Sequence, residues 1–277
     1  MVYTIERPKN FDIEHIFDCG QCFRFNKHKQ KNNTYCGVAF GKYLEISQDE
    51  NNVYFHNTTE NDYKMLWHNF FDLDNNYQSI IDSFSYDKTL TDAATFSSGI
   101  RILRQSPWET LCSFIISQNN NIPRIKGIIE NMSMAYGEEF IDSSGEKHYS
   151  FPTAKALADA GEEKIFQLKT GFRAKYIYDA AYRIENGDIV LDSIFDMNLE
   201  AALQTLMQIK GVGPKVASCV LLFGFSKYDA FPIDVWVKKI LANYYSDGIP
   251  DALSGKYAGI AQQYLFYYER CKNNVYL

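Results

Sequence analysis

The sequence predicts an α+β chain: a small antiparallel β-sheet domain over residues 1–98, followed by an all-helical domain over 99–277. Two contrasts predict it. Before Gly99, short aromatic and β-branched runs are broken by Asn, Lys and Gly, which is the texture of a meander. From Gly99 onward, apolar residues recur at helical period almost throughout. Strands first and helices afterwards belong to the segregated α+β class rather than to alternating α/β folds.

The elements follow in order. Strands are expected near 22–27 (CFRFNK), 34–40 (TYCGVAF), 42–47 (KYLEIS) and 52–56 (NVYFH). Residues 60–73 and about 77–84 turn helical. Helices are then expected at 107–118, 121–137, 153–158, 161–168, 172–185, 198–208, 214–224, 234–245 and 254–270. The polar segment 138–152 reads as a loop.

Composition narrows the class. No apolar run is long enough to cross a bilayer, and the N-terminal MVYTIERPKN lacks a signal-peptide pattern. An intracellular protein with no membrane partner is expected: cytoplasmic in a prokaryote, for want of a transit or nuclear-type basic run, or nuclear in a eukaryote. The six cysteines are expected as free thiols. Cys19-Gly-Gln-Cys22 is formally C-x-x-C, but no helix pattern and no second pair at zinc spacing accompany it. The net charge of −6 argues against a general nucleic-acid binder. Two stretches depart from it, Gly99–Lys126 and Lys210–Lys239, each with a surplus of positive charge. They predict a local basic face whose grip on a duplex weakens with salt.

The most informative stretch is Leu206–Leu241. It reads as helix, glycine turn, helix, loop and a third helix opened by Asp234. Gly211 and Gly213 flank Val212 where positive φ or close backbone approach is expected. Pro214 suits the first helical position, and amides at such a turn suit a phosphate. Lys215 then places a cation in the first turn against the helix dipole, so stability does not explain it. That dipole and the apolar run behind it would favour free amine, the nucleophilic form. Asp234 suits an N-cap, and an ionised cap also suits stabilisation of developing positive charge.

With 18 residues between Lys215 and Asp234, Gly-Val-Gly-x-Lys followed by Pro-x-Asp resembles the helix-hairpin-helix-GPD superfamily of base-excision DNA glycosylases. The lysine resembles that of the bifunctional members, which also nick the strand. Further strings narrow the resemblance to the eukaryotic-type 8-oxoguanine DNA glycosylase/AP lyases: Gly20-Gln21-x-Phe23-Arg24, Asn119 to Arg124, Gly171 to Tyr176, and Tyr257 to Phe266. These run in the family's order from about residue 20 to residue 266.

The resemblance implies a TATA-binding-protein-like sheet domain before the helical domain, and a monomer acting on double-stranded DNA containing 8-oxoguanine. It implies that Lys215 is the nucleophile and that Asp234 stabilises the oxocarbenium-like transition state. Cys219 and Phe266 would sandwich the everted base. Gln262 would bond its Watson–Crick edge, and the Gly20 carbonyl would accept from N7–H, the hydrogen that guanine lacks. Asn119, Arg124, Phe172 and Arg173 would hold the vacated site and read the orphaned base, while Gly211 and Gly213 would serve the phosphate grip. Trp236 stands where relatives carry a histidine near the 5′ phosphate, and Glu269 where an aspartate is usual. No catalytic cofactor or metal is implied, though an ion could sit on the carbonyls of Met207, Ile209 and Val212. The four-cysteine cluster loop of endonuclease III-like relatives is absent, so no iron–sulfur cluster is expected.

Overall fold

The computed structural model describes residues 1–246 and 248–272. Five strands, β1 (Val2–Glu6), β2 (Phe25–Lys27), β3 (Thr34–Ala39), β4 (Lys42–Gln48) and β5 (Asn52–His56), form an antiparallel sheet in the order β1-β5-β4-β3-β2. Leu44 and Ile46 of β4 and Val53 and Phe55 of β5 alternate onto one face. There they pack with Trp67, Phe70 and Phe71, as a half-buried sheet requires.

β1 is an addition to the expected strands. Its side chains are nowhere fully buried, so periodicity alone gives it little signal. Its hydrogen bonds come from β5, pairing Val2 with His56 through to Glu6 with Asn52. The segment 138–152 is also not a plain loop. β6 (Glu139–Ile141) and β7 (Lys147–Tyr149) form a hairpin. The Asp142 carboxylate fastens it by accepting from the Ser144 and Glu146 amides, and the His148 ring stacks on Tyr43 with centroids 4.2 Å apart. Polar contacts of this kind leave no apolar period to read. An unanticipated helix, Lys88–Phe96, packs against the C-terminal helix Ala258–Lys272. The two helices expected at 153–158 and 161–168 join as Ala154–Ile165, kinked at Gly161 with φ +79°.

The second core is organised around the helix Pro214–Phe225, in which every residue from Val216 to Phe225 is buried. A helix apolar all round belongs in the interior. It packs on Pro107–Ser117 closely enough that a Cβ on Gly224 would lie 3.1 Å from the Pro107 Cα. The sheet and the helices are joined by buried polar contacts. The Gln21 amide donates to the carbonyls of Ile16 and Arg101 and accepts from the Leu103 N–H, each at 2.8 Å.

That joint corrects the expected basic face. Arg101 is buried and donates to the carbonyls of Phe71, Asp72 and Asn75. Arg104 is paired with Asp72, and Lys126 bonds the Phe25 carbonyl. Much of the positive surplus in 99–126 therefore holds the fold together instead of facing outward. Lys227 of the second stretch is likewise turned onto the carbonyls of Phe195 and Met197. Among the described residues no helix is long and apolar enough to cross a membrane.

Candidate active site

The hairpin is built by the helix Leu199–Met207, a turn and the helix Pro214–Phe225. Gly211 has φ +76°, and a Cβ there would lie 2.5 Å from the Tyr176 ring. It therefore meets both conditions for an obligatory glycine. Gly213 meets neither: its φ is −97° and a Cβ would find no protein atom within 4 Å. As the N-cap it brings no side chain to the amides of the first turn.

The helix fixes Lys215 and, one turn on, Cys219. The Lys215 Nζ lies 5.4 Å from the centroid of the Phe114 ring, which stacks on Phe223 and meets Phe23 edge-on. Burial pushes the Cys219 thiol up, nearby Lys215 offsets this, and Asp234 adds to it. The loop to Pro232 returns Asp234 to the recess that Lys215 also lines. The Asp234 Oδ1 accepts from the amides of Trp236 at 2.9 Å and Val237 at 2.8 Å. The expected cap is real, and it employs only one carboxylate oxygen.

Lys215, Cys219, Asp234, Gly20, Gln262 and Phe266 line one recess of about 50 Å³. It adjoins an open groove of about 900 Å³ that Gly20, Lys215, Asp234 and Phe266 also line, together with Asn119 and Trp236. Gly20 reverses the chain with φ +80°. Its loop is pinned by Gln263, whose amide donates to the Cys19 carbonyl at 2.6 Å, and by Gln21. Gln263, Phe114 and Arg270 were not singled out from the sequence. Arg270 lines the groove with its guanidinium 5.2 Å over the Phe266 ring and within electrostatic reach of Asp234. An arginine late in a C-terminal helix reads as an ordinary dipole partner, so no local signal would have found it.

A second group of residues lies at the rim. Asn119 is exposed with φ +47°, Arg124 is exposed, and Phe172 is 50% exposed. Arg173 is placed differently from these three. It is buried, stacks 4.4 Å over Phe172, and donates to the carbonyls of Gln118, Asn119 and Thr170. Those contacts draw Asn119 and Phe172 together and occupy the guanidinium in the free protein. Arg124 reaches the Lys169 carbonyl at 3.5 Å. Trp236 is half-buried with Lys239 Nζ 4.8 Å from its ring centroid. The Glu269 carboxylate accepts from the Tyr244 hydroxyl at 3.1 Å.

The cysteines of C-x-x-C take separate places. Cys19 lies in the helical core and Cys22 in the sheet core. Burial raises both thiols, Cys19 to about 12, which leaves them inert as nucleophiles near neutral pH. At the turn, the Ile209 carbonyl accepts the Val212 N–H at 3.1 Å and keeps a second lone pair. Carbonyls of Met207, Ile209 and Val212 are hard neutral donors suited to a weakly held ion.

Residues 4–111 match the family described as 8-oxoguanine DNA glycosylase, N-terminal domain, and residues 112–251 match the HhH-GPD superfamily base excision DNA repair protein. The chain is 32% identical over 255 residues to the N-glycosylase/DNA lyase of Saccharomyces cerevisiae, covering 84% of this chain and 68% of that protein. The structure of Clostridium acetobutylicum 8-oxoguanine glycosylase/lyase, in complex with double-stranded DNA containing cytosine opposite 8-oxoG, superposes with a TM-score of 0.90. Identity there is 40%, over 99% of this chain and 98% of that one. MBOgg1 in complex with a low-affinity DNA ligand gives a TM-score of 0.92 at 39% identity, over 98% and 96% of the two chains.

Proposed function

We propose, from the premise that this chain belongs to the 8-oxoguanine DNA glycosylase family of the helix-hairpin-helix-GPD superfamily, that it is a bifunctional glycosylase/AP lyase excising 8-oxoguanine from duplex DNA. The observation that carries the reading is the single recess shared by Lys215, Cys219, Gly20, Asp234, Gln262 and Phe266. The reaction class needs a nucleophile, a stabilising carboxylate and a base-sized slot at one point, and an enzyme acting on a base must take it out of the stack.

Lys215, as free amine, attacks C1′ of the everted nucleotide. The glycosidic electron pair leaves with the base, and positive charge develops on the sugar. Asp234 stabilises that charge with the oxygen its cap does not use. After the amine loses its proton and the sugar ring opens, the imine acidifies the C2′ hydrogens. Loss of one of them expels the 3′ phosphate. The Gly20 carbonyl gains a hydrogen bond from N7–H of the lesion and faces lone-pair repulsion from guanine. Such a polar mismatch discriminates more strongly than shape.

The recess is smaller than the purine it must hold, since a cavity of about 150 Å³ is what accommodates benzene. Half-buried Phe266 is the wall that turns aside and then closes on the base opposite Cys219. At the rim, Phe172 fills the vacated stack while Asn119, Arg124 and Arg173 meet the orphaned base. Amides at Gly211 and Gly213 grip the backbone, and Trp236 packs beside it without supplying charge. An ion on the carbonyls of Met207, Ile209 and Val212 would brace the turn and take no part in the chemistry.

Borohydride trapping on a duplex containing one 8-oxoguanine tests this reading, with Lys215→Gln in parallel. A covalent adduct formed by the wild type and lost in the variant is the expected result. Base release without an adduct would remove the lyase half of the reading. Neither adduct nor release would remove the lesion assignment.

A further inference from the structure

The helix Ala174–Glu185 begins where the rim residues Phe172 and Arg173 end and runs past the hairpin turn. Two of its side chains touch that turn. The Tyr176 ring closes on Gly211, where a Cβ would lie 2.5 Å away. The Asp179 carboxylate is buried, and its Oδ2 accepts the Lys210 backbone N–H at 2.9 Å. The same oxygen accepts Arg183 Nε at 3.0 Å, and Oδ1 lies 3.5 Å from Lys210 Nζ. A buried carboxylate that receives a turn amide fixes the direction of the peptide plane it holds, and its removal strands that amide.

We propose that Asp179 is a positioning residue that locks the hairpin turn to the rim helix. The phosphate-gripping amides and the residues that enter the duplex are thereby held at one spacing. The inference rests on the proposed reading of the hairpin and rim as a DNA-binding surface. It assigns to Asp179 no contact with DNA.

Electrostatics and positioning predict opposite signs, which makes the idea testable. Removing Asp179 deletes a negative charge beside a DNA grip and releases Lys210 and Arg183, so charge alone would tighten binding. Loss of register would weaken it. The experiment measures three quantities for wild type, Asp179→Ala and Asp179→Asn: exchange of the Lys210 amide in the free protein, Kd for undamaged duplex, and the KM and kcat for excision.

In Asp179→Ala the Lys210 amide is expected to exchange about tenfold faster or more. The Kd should rise by about tenfold, with KM following it and kcat within about threefold. Asp179→Asn keeps an acceptor for the amide and should restore protection and most of the affinity, although it too lacks the charge. Tighter binding in both variants, or unchanged Kd with an exposed amide, would overturn the proposal. So would Asp179→Asn behaving as Asp179→Ala. Should the alanine variant not fold, asparagine and the exchange measurement still decide. Exchange and undamaged-duplex affinity do not depend on lesion excision, so failure of the parent reading would register separately as an inactive wild type.

Discussion

The recess beneath Lys215 and the rim around Asn119 and Phe172 are made in opposite ways. Apart from Phe266, the recess is set by residues held in buried or hydrogen-bonded elements. Lys215 and Cys219 ride a helix buried on every side, Gly20 is pinned through Gln21 and Gln263, and Gln262 is 4% exposed. The rim is loop-borne and exposed, and it is tied together by one arginine bonded to backbone carbonyls. A group that must meet a transition state gains from rigidity. Groups that must enter a duplex gain from being able to rearrange, and their energetics belong to the complex rather than to the free protein.

That contrast gives a graded set of outcomes. Lys215→Gln should abolish the trapped adduct and lower base release by on the order of 10³-fold or more, with the fold intact by circular dichroism. Any adduct at wild-type level would break the assignment of the recess. Gln262→Ala should lower kcat/KM for 8-oxoguanine by about 10²-fold through the lost base-edge contact. A single-turnover comparison of lesion substrates separates this from unfolding.

At the hairpin, the two glycines should part company. Gly211→Ala forces a methyl into Tyr176 at positive φ and should cost about 2–3 kcal/mol of stability. Gly213→Ala meets only open space and should leave stability within about 0.5 kcal/mol. It should still weaken duplex binding if backbone must approach there. Equal melting temperatures for the two variants would contradict the packing described at Gly211.

At the rim, Phe172→Ala and Arg124→Ala should each change KM only a few-fold and leave the melting temperature unchanged. Arg124→Ala should relax opposite-base preference more than it slows excision. A separate effect is expected away from both regions. Burial raises the Glu109 carboxyl from 4.5 to about 7, with Arg24 opposing. A carboxyl raised on folding binds more protons in the native state, so its contribution is complete below pH 4.5. It is lost as pH rises through 7. Glu109→Gln should flatten the fall of melting temperature between pH 5 and pH 8. An unchanged slope would place the titration elsewhere.

The parts of the site legible in the chain were those that local chemistry dictates. Pro214 at the first helical position, a cation where the dipole opposes it and Asp234 at an N-cap all act within one turn of their own helix. The four β-strands between Phe25 and His56 were legible for the same reason, because short aromatic and β-branched runs broken by Asn, Lys and Gly are written locally. Gly213 shows the limit of such reasoning. It has the same identity as Gly211 in the same turn, yet only Gly211 has a ring pressed against it, and that ring comes from 35 residues earlier in the chain.

The sequence by itself determined the division into sheet and helices, the hairpin with Lys215, and the capping of Asp234, since periodicity and end chemistry are short-range. Tertiary structure alone decided which arginines are structural: Arg101 and Arg104 look like a basic patch and instead satisfy carbonyls and Asp72. It also decided that β1 pairs with β5, that Asp142 fastens a polar hairpin, and that Arg270 comes to rest over Phe266. The physical reason is common to all of these. A buried polar group takes whatever partner the fold brings to it, and that partner is fixed by packing between distant segments, which no local pattern encodes.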